Sequence, residues 1–189
     1  MEERNSLPRG REFELHLFGK TDVADKSLRR LDFHSAMQGV TTKPLARMNS
    51  NGYPEVYNPV RPNWGMTPQL WSSVKKHLPR WHKGEKSNPL LLYISVGTSL
   101  DCHHGVDCFF WWKGAYCLID ASLILKHKDG QGKENLRADV LLHPHHLTPE
   151  GLEEFGYNVA EFLKERIVYS ERIEKREKRK RQKSVQIPG

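Results

Sequence analysis

Lys113-Gly114 separates two runs of aromatic and β-branched residues, Cys108 to Trp112 and Ala115 to Ile119. Runs of that kind suit a pleated, half-buried surface, and a two-residue link ending in glycine reverses the chain tightly. The segment therefore predicts a β-hairpin over about residues 101–126, around which the remainder must be built. If Lys113 and Gly114 are the central turn residues, Trp112 faces Ala115, Asp107 lies directly opposite Asp120, and Asp101 lies opposite Lys126. Side chains alternate between the two faces of a strand. One face collects Cys102, Val106, Cys108, Phe110 and Trp112 against Cys117, Ile119, Ala121, Leu123 and Leu125, and reads as core. The other collects Asp101, His103, Asp107, Asp120, Ser122 and Lys126, closed at the turn end by Phe109, Trp111, Tyr116 and Leu118.

Directly opposed carboxylates in a hairpin have Cβ atoms about 5 Å apart and repel. Something must relieve that repulsion: a raised pKa, a nearby lysine, or a divalent cation between them. A hard cation such as Mg²⁺ or Mn²⁺ needs little more than two carboxylates, water and substrate phosphate. Asp107 and Asp120 are thus the candidate metal ligands.

A strand ending in Asp, a short hairpin, and a second strand with an acidic residue two before a polar or basic one resemble the PD-(D/E)xK nuclease superfamily. The residues are Asp107 and Asp120-Ala121-Ser122, and the likeness spans roughly residues 90–165. It implies a restriction-endonuclease-like fold and a metal-dependent nuclease that hydrolyses phosphodiester bonds of DNA or RNA. On that likeness Asp107 and Asp120 hold Mg²⁺ or Mn²⁺, a glutamate from an upstream helix (Glu12 or Glu14) completes the ligands, and Asp107, Asp120, Ser122 and Lys126 are catalytic. The family's lysine falls at Ser122, which carries no charge. Lys126 shares the face of Asp120 but lies further along the strand, where it and Lys128 suit contact with the phosphate backbone.

Elsewhere the pattern gives helices and short strands. Glu12 to Phe18 alternates as a short strand or the first turns of a helix. Thr21 or Asp22 caps a helix running to about Met37. Residues 39–66, with four prolines and Asn49-Ser50-Asn51-Gly52, read as a long loop. Its Tyr53, Tyr57 and Trp64, interleaved with Arg47 and Arg61, either fold the loop onto the core or stack on bases. Thr67-Pro68 and Thr148-Pro149 each signal a helix start, Leu90 to Val96 a buried strand, and Arg137 to Leu142 another. The sum is one α+β domain over residues 1–170, a small mixed sheet flanked by helices, followed by a basic tail over 171–189 that is helical or disordered.

The net charge of +7 is concentrated in that tail, where Glu171 to Lys183 holds eight Lys or Arg residues. A polyanion such as nucleic acid is the partner such charge favours, with Arg176, Lys178, Arg179, Lys180 and Arg181 as phosphate contacts. The bland alternative is a solvated helix whose glutamates pair at helical spacing. No apolar run approaches the ~20 residues that cross a bilayer, so no membrane partner is expected. Three cysteines crowded into one segment make a poor disulfide framework. With no apolar leader behind Met1, the chain is expected in the cytoplasm, or the nucleus if eukaryotic. Cys102, His103, His104, Cys108, Cys117 and His143-Pro144-His145-His146 match no zinc-site spacing, so zinc is not expected. A homo-oligomer stays open. The competing function is a non-enzymatic protein that binds nucleic acid or protein on a nuclease-like fold.

Overall fold

The computed structural model describes residues 10–19, 29–43, 45–48, 53–79, 88–123 and 138–185. Its centre is a four-stranded sheet of β3 (Leu91–Ile94), β4 (Cys108–Trp112), β5 (Ala115–Ala121) and β6 (Val140–Leu142), adjacent in that order. The first three strands are an antiparallel meander, and β6 runs parallel to β5. The sheet is mixed and the architecture α+β.

The hairpin forms in the expected register: Trp112 pairs with Ala115 and Cys108 with Ile119. Lys113 and Gly114 both have positive φ, +49° and +82°, as a type I′ turn requires. The first arm is shorter than the aromatic pattern suggested. Residues Ser99–His104 form a helical turn, α4, ended by Gly105 in the left-handed conformation. Asp101 is therefore on a helix and does not oppose Lys126, which lies outside the described residues. Cys102 is exposed on α4 rather than buried in the core face.

Both faces of the sheet are covered. Cys108, Phe110, Cys117 and Ile119 join the main core with Phe13, Leu17 and Phe18 of α1 (Gly10–Phe18), Leu70 and Val74 of α3 (Thr67–His77), and Phe155 and Val159 of α5 (Pro149–Val185). On the opposite face, Phe109 and Leu118 pack against Ala36, Met37 and Val40 of α2 (Phe33–Thr42) and Leu100 of α4. α3 and α5 approach so closely that a Cβ on Gly156 would sit 2.5 Å from the Ser73 carbonyl carbon.

Several expectations are resolved or corrected. Glu12 to Phe18 is helical, because Phe13, Leu17 and Phe18 then share one buried side. The helix expected to end near Met37 starts at Phe33, where Asp32 accepts hydrogen bonds from the Ser35 N–H and hydroxyl. Thr21 and Asp22 lie outside the described residues. The long loop contains a small ribbon, β1 (Ala46–Met48) paired with β2 (Pro54–Val56). Arg47 there bonds Glu55 and lies over the buried Trp64 ring at 4.5 Å, so Trp64 and Tyr57 fold the segment onto the core, while Tyr53 is exposed. Thr67 is the first helical residue of α3 rather than its cap. Thr148 does cap α5, its hydroxyl accepting from the Gly151 N–H. The tail expected as helical or disordered continues α5 without a break to Val185.

Candidate functional site

The acidic site forms where β4 emerges from α4. Thr98 caps α4, and Asp101 in its first turn accepts a 2.7 Å hydrogen bond from the Gly97 N–H. Three residues after the helix ends, Asp107 is locked from both sides: its carbonyl accepts from the Ser95 N–H and its N–H donates to the Ile119 carbonyl. Its carboxylate Oδ2 accepts from the Ala121 N–H at 2.6 Å. That brackets Asp120, which sits between Ile119 and Ala121 on β5. Alternation puts Asp120 on the same side as Phe109 and Leu118, the face that α4 covers. Asp107 and Asp120 are both buried, at 4% and 7% exposure.

Burial of several carboxylates in one place has an electrostatic consequence. Asp107 is pushed up to about 8, chiefly by removal from water, with the charges of Asp101, Asp120 and Glu14 adding to the rise and the Ala121 N–H opposing it. Asp101 is also raised, again mainly by burial, and its carboxyl hydrogen-bonds that of Asp107. Two carboxyl groups in such contact must share a proton.

The structure thus brings together Asp107, Asp120 and, from α1, the half-buried Glu14, while Glu12 is exposed. It adds Asp101, assigned above to a strand opposite Lys126. Thr98-Ser99-Leu100-Asp101, a threonine followed three positions later by an acid, was the available signal of a helix start. Ser122 is buried just beyond β5, its N–H donating to the Leu142 carbonyl and its own carbonyl 2.7 Å from His143 Nδ1. Lys126 and Lys128 lie outside the described residues. Arg176, Lys178, Arg179, Lys180 and Arg181 are exposed on the far part of α5. Among the described residues, no three His, Cys, Asp or Glu side chains are already set as a metal-ligand group.

A second polar cluster lies behind Ser122. His143, Pro144, His145 and His146 form a single 3-10 turn in which His146 Nδ1 accepts from the His143 N–H. His146 is lowered to about 4 by burial and by His145 and His143 beside it, against the pull of Glu154. His146 is therefore neutral at physiological pH and its ring packs on Phe155 at 5.8 Å. The turn supports the strand end.

No family model, no curated protein and no solved structure matches this chain. Among the described residues no helix is long and apolar enough to cross a membrane.

Proposed function

We propose that this chain is a metal-dependent phosphodiesterase acting on nucleic acid, with its centre at Asp107 and Asp120 on a restriction-endonuclease-like sheet. One observation carries the reading: the fold buries Asp107 and Asp120 beside the half-buried Asp101 and within the field of Glu14, at a cost in stability that a purely structural site has no reason to bear. The donors are of the type a hard divalent cation takes, carboxylate oxygens, which thiophilic ions do not favour, and holding one would require them to draw together from their present positions. Asp107 and Asp120 would hold it, with Asp101 and Glu14 alongside; when bound, such an ion polarises a phosphodiester and lowers the pKa of its water.

The chain's own groups prepare that chemistry. The Ala121 N–H fixes the Asp107 carboxylate, and backbone bonds to Ser95 and Ile119 hold the residue from either side. The proton that Asp101 and Asp107 share lowers the negative charge of the site, and a bound cation would take that proton's place. The test is cleavage of plasmid, linear duplex, single-stranded DNA and RNA with Mg²⁺ or Mn²⁺. Asp120→Asn should lower the rate at least ~100-fold with the fold intact. No cleavage of any form, together with no shift in melting temperature on adding Mg²⁺, would remove the proposal.

Ser122 favours a second reading. It stands where the related pattern has lysine, and it is buried with its backbone engaged by Leu142 and His143. A site without that cation would bind nucleic acid and leave it whole, and such binding would survive Asp120→Asn.

A further inference from the structure

The far part of α5 carries its charges in two sorted faces. Glu171, Glu174 and Glu177 are each followed four residues later by a base, Lys175, Lys178 and Arg181. That order, acid before base, is the favourable one for pairing along a helix. Removing those three bases leaves, among the side chains described, Arg172, Arg176, Arg179 and Lys180. At 3.6 residues per turn these four fall within an arc of roughly 100° that contains none of the three glutamates. The exposed Tyr169 lies in the same arc. All four cations are exposed, on a helix whose described side chains have left the core after Ile167.

We infer that this stripe is a docking surface for the phosphate backbone of a nucleic acid. Arg172, Arg176 and Lys180 recur at one-turn intervals of about 6 Å along a rigid rod, a row of charge matched to a strand of phosphates. A membrane surface fits less well. A helix lying in a lipid interface needs an apolar face opposite its charges. Here the apolar side chains described beyond Ile167 are Val168, Tyr169 and Ile173 near the body, and the face opposite the stripe is glutamate. The stripe also revises the contacts expected from composition alone: Arg172 joins, while Lys178 and Arg181 turn toward the acidic face.

The inference stands apart from cleavage, because it concerns binding of the full chain. Anisotropy of a labelled duplex of arbitrary sequence, titrated between about 50 and 200 mM NaCl, should show affinity falling about 100-fold, as expected for four phosphate contacts. Arg172→Gln with Arg176→Gln should reduce the slope of log affinity on log salt by about two. Lys178→Gln with Arg181→Gln removes the same charge from the other face and should leave the slope nearly unchanged. Circular dichroism checks that both variants keep the helix. Equal losses in the two variants would overturn the stripe, and tighter binding to phosphatidylserine vesicles than to duplex would overturn the assignment to nucleic acid. Asp107→Asn with Asp120→Asn should keep the binding. Binding through the stripe without cleavage by the wild type would sink the phosphodiesterase reading alone, and cleavage without stripe-dependent binding would sink this one alone.

Discussion

The mouth of the hairpin and the far end of α5 both carry an excess of one sign of charge, but only the first does so out of water. At the hairpin, Asp107 is 4% exposed and its proton is held up to about 8 by burial and by neighbouring acids. Along α5, residues 168–182 are exposed on all sides, and water screens each cation from the next. Like charges therefore strain the fold in one place and leave it indifferent in the other. Dense charge on a surface is relieved by water; dense charge inside must be relieved by protons, partners or a bound ion.

The largest effect should appear in the pH dependence of stability without metal. The folded protein holds a proton on Asp107 that the unfolded chain releases near pH 4, so this contribution is complete below pH 4 and is lost as pH rises through about 8. The raised Asp101 acts with the same sign. From Asp107 alone, unfolding free energy in EDTA should fall between pH 5 and 9 by on the order of 4 kcal/mol, with the fall above pH 6.5 unopposed by His146. Asp107→Asn, whose amide oxygen can still accept from Ala121, should flatten that slope and make the protein more stable than wild type at pH 9. An equally steep slope in the variant would mean that the acids are not coupled. His146 works in the other direction: held neutral with a value near 4, it favours the fold above pH 6.5 and loses that contribution as pH falls toward 4. Between about pH 4 and 6.5 the two groups act with opposite sign, so His146→Gln should steepen the fall in that range and Asp107→Asn should turn it into a rise.

A cation that relieves the repulsion should restore what the alkaline limb loses. At pH 8, saturating Mg²⁺ or Mn²⁺ should raise stability by about 1–3 kcal/mol, the linkage expected for a ligand at ten to a hundred times its dissociation constant. Asp120→Asn should abolish most of the shift. A shift of equal size in that variant would place the ion elsewhere, with α5 and its glutamates the obvious region to check.

How much of this could be read from residues divides along the same line. The β4–β5 register was legible because Lys113-Gly114 permits one tight reversal and the flanking residues admit no other element. The register ends at Cys108 opposite Ile119, and the Asp107 N–H also bonds Ile119, so Asp107 and Asp120 come near each other at the open end of the hairpin without forming a ladder pair. What stayed hidden was long-range: that β6 lies parallel beside β5, and that Glu14 comes into range from a helix more than ninety positions upstream. Asp101 was misplaced for a local reason. Alternating Cys102, His104 and Val106 imitates a strand, and the helix-start signal at Thr98 competes with it over only six residues. α1 was ambiguous because Phe13, Leu15 and Leu17 alternate, while the helical reading rests on Phe13, Leu17 and Phe18 alone. In the tail the charge run was plain, and its sorting into two faces needed only the knowledge that the helix continues to Val185.

The smallest expected effect is the most direct check on the contrast. Arg172→Gln with Arg179→Gln removes two positive charges from one face of α5, whereas Asp107→Asn replaces a single buried acid. If solvation decides the outcome, the double change should shift unfolding free energy by no more than about 0.5 kcal/mol, as exposed substitutions away from packed contacts do. Raising the salt concentration should reduce even that, because surface repulsion is screened and buried repulsion is not. A clear gain in stability, of 1 kcal/mol or more, would show that the helix bears its own repulsion as a cost. The extension would then join the acidic site as a region held under electrostatic load until an oppositely charged partner binds, and the contrast between the two regions would be one of degree.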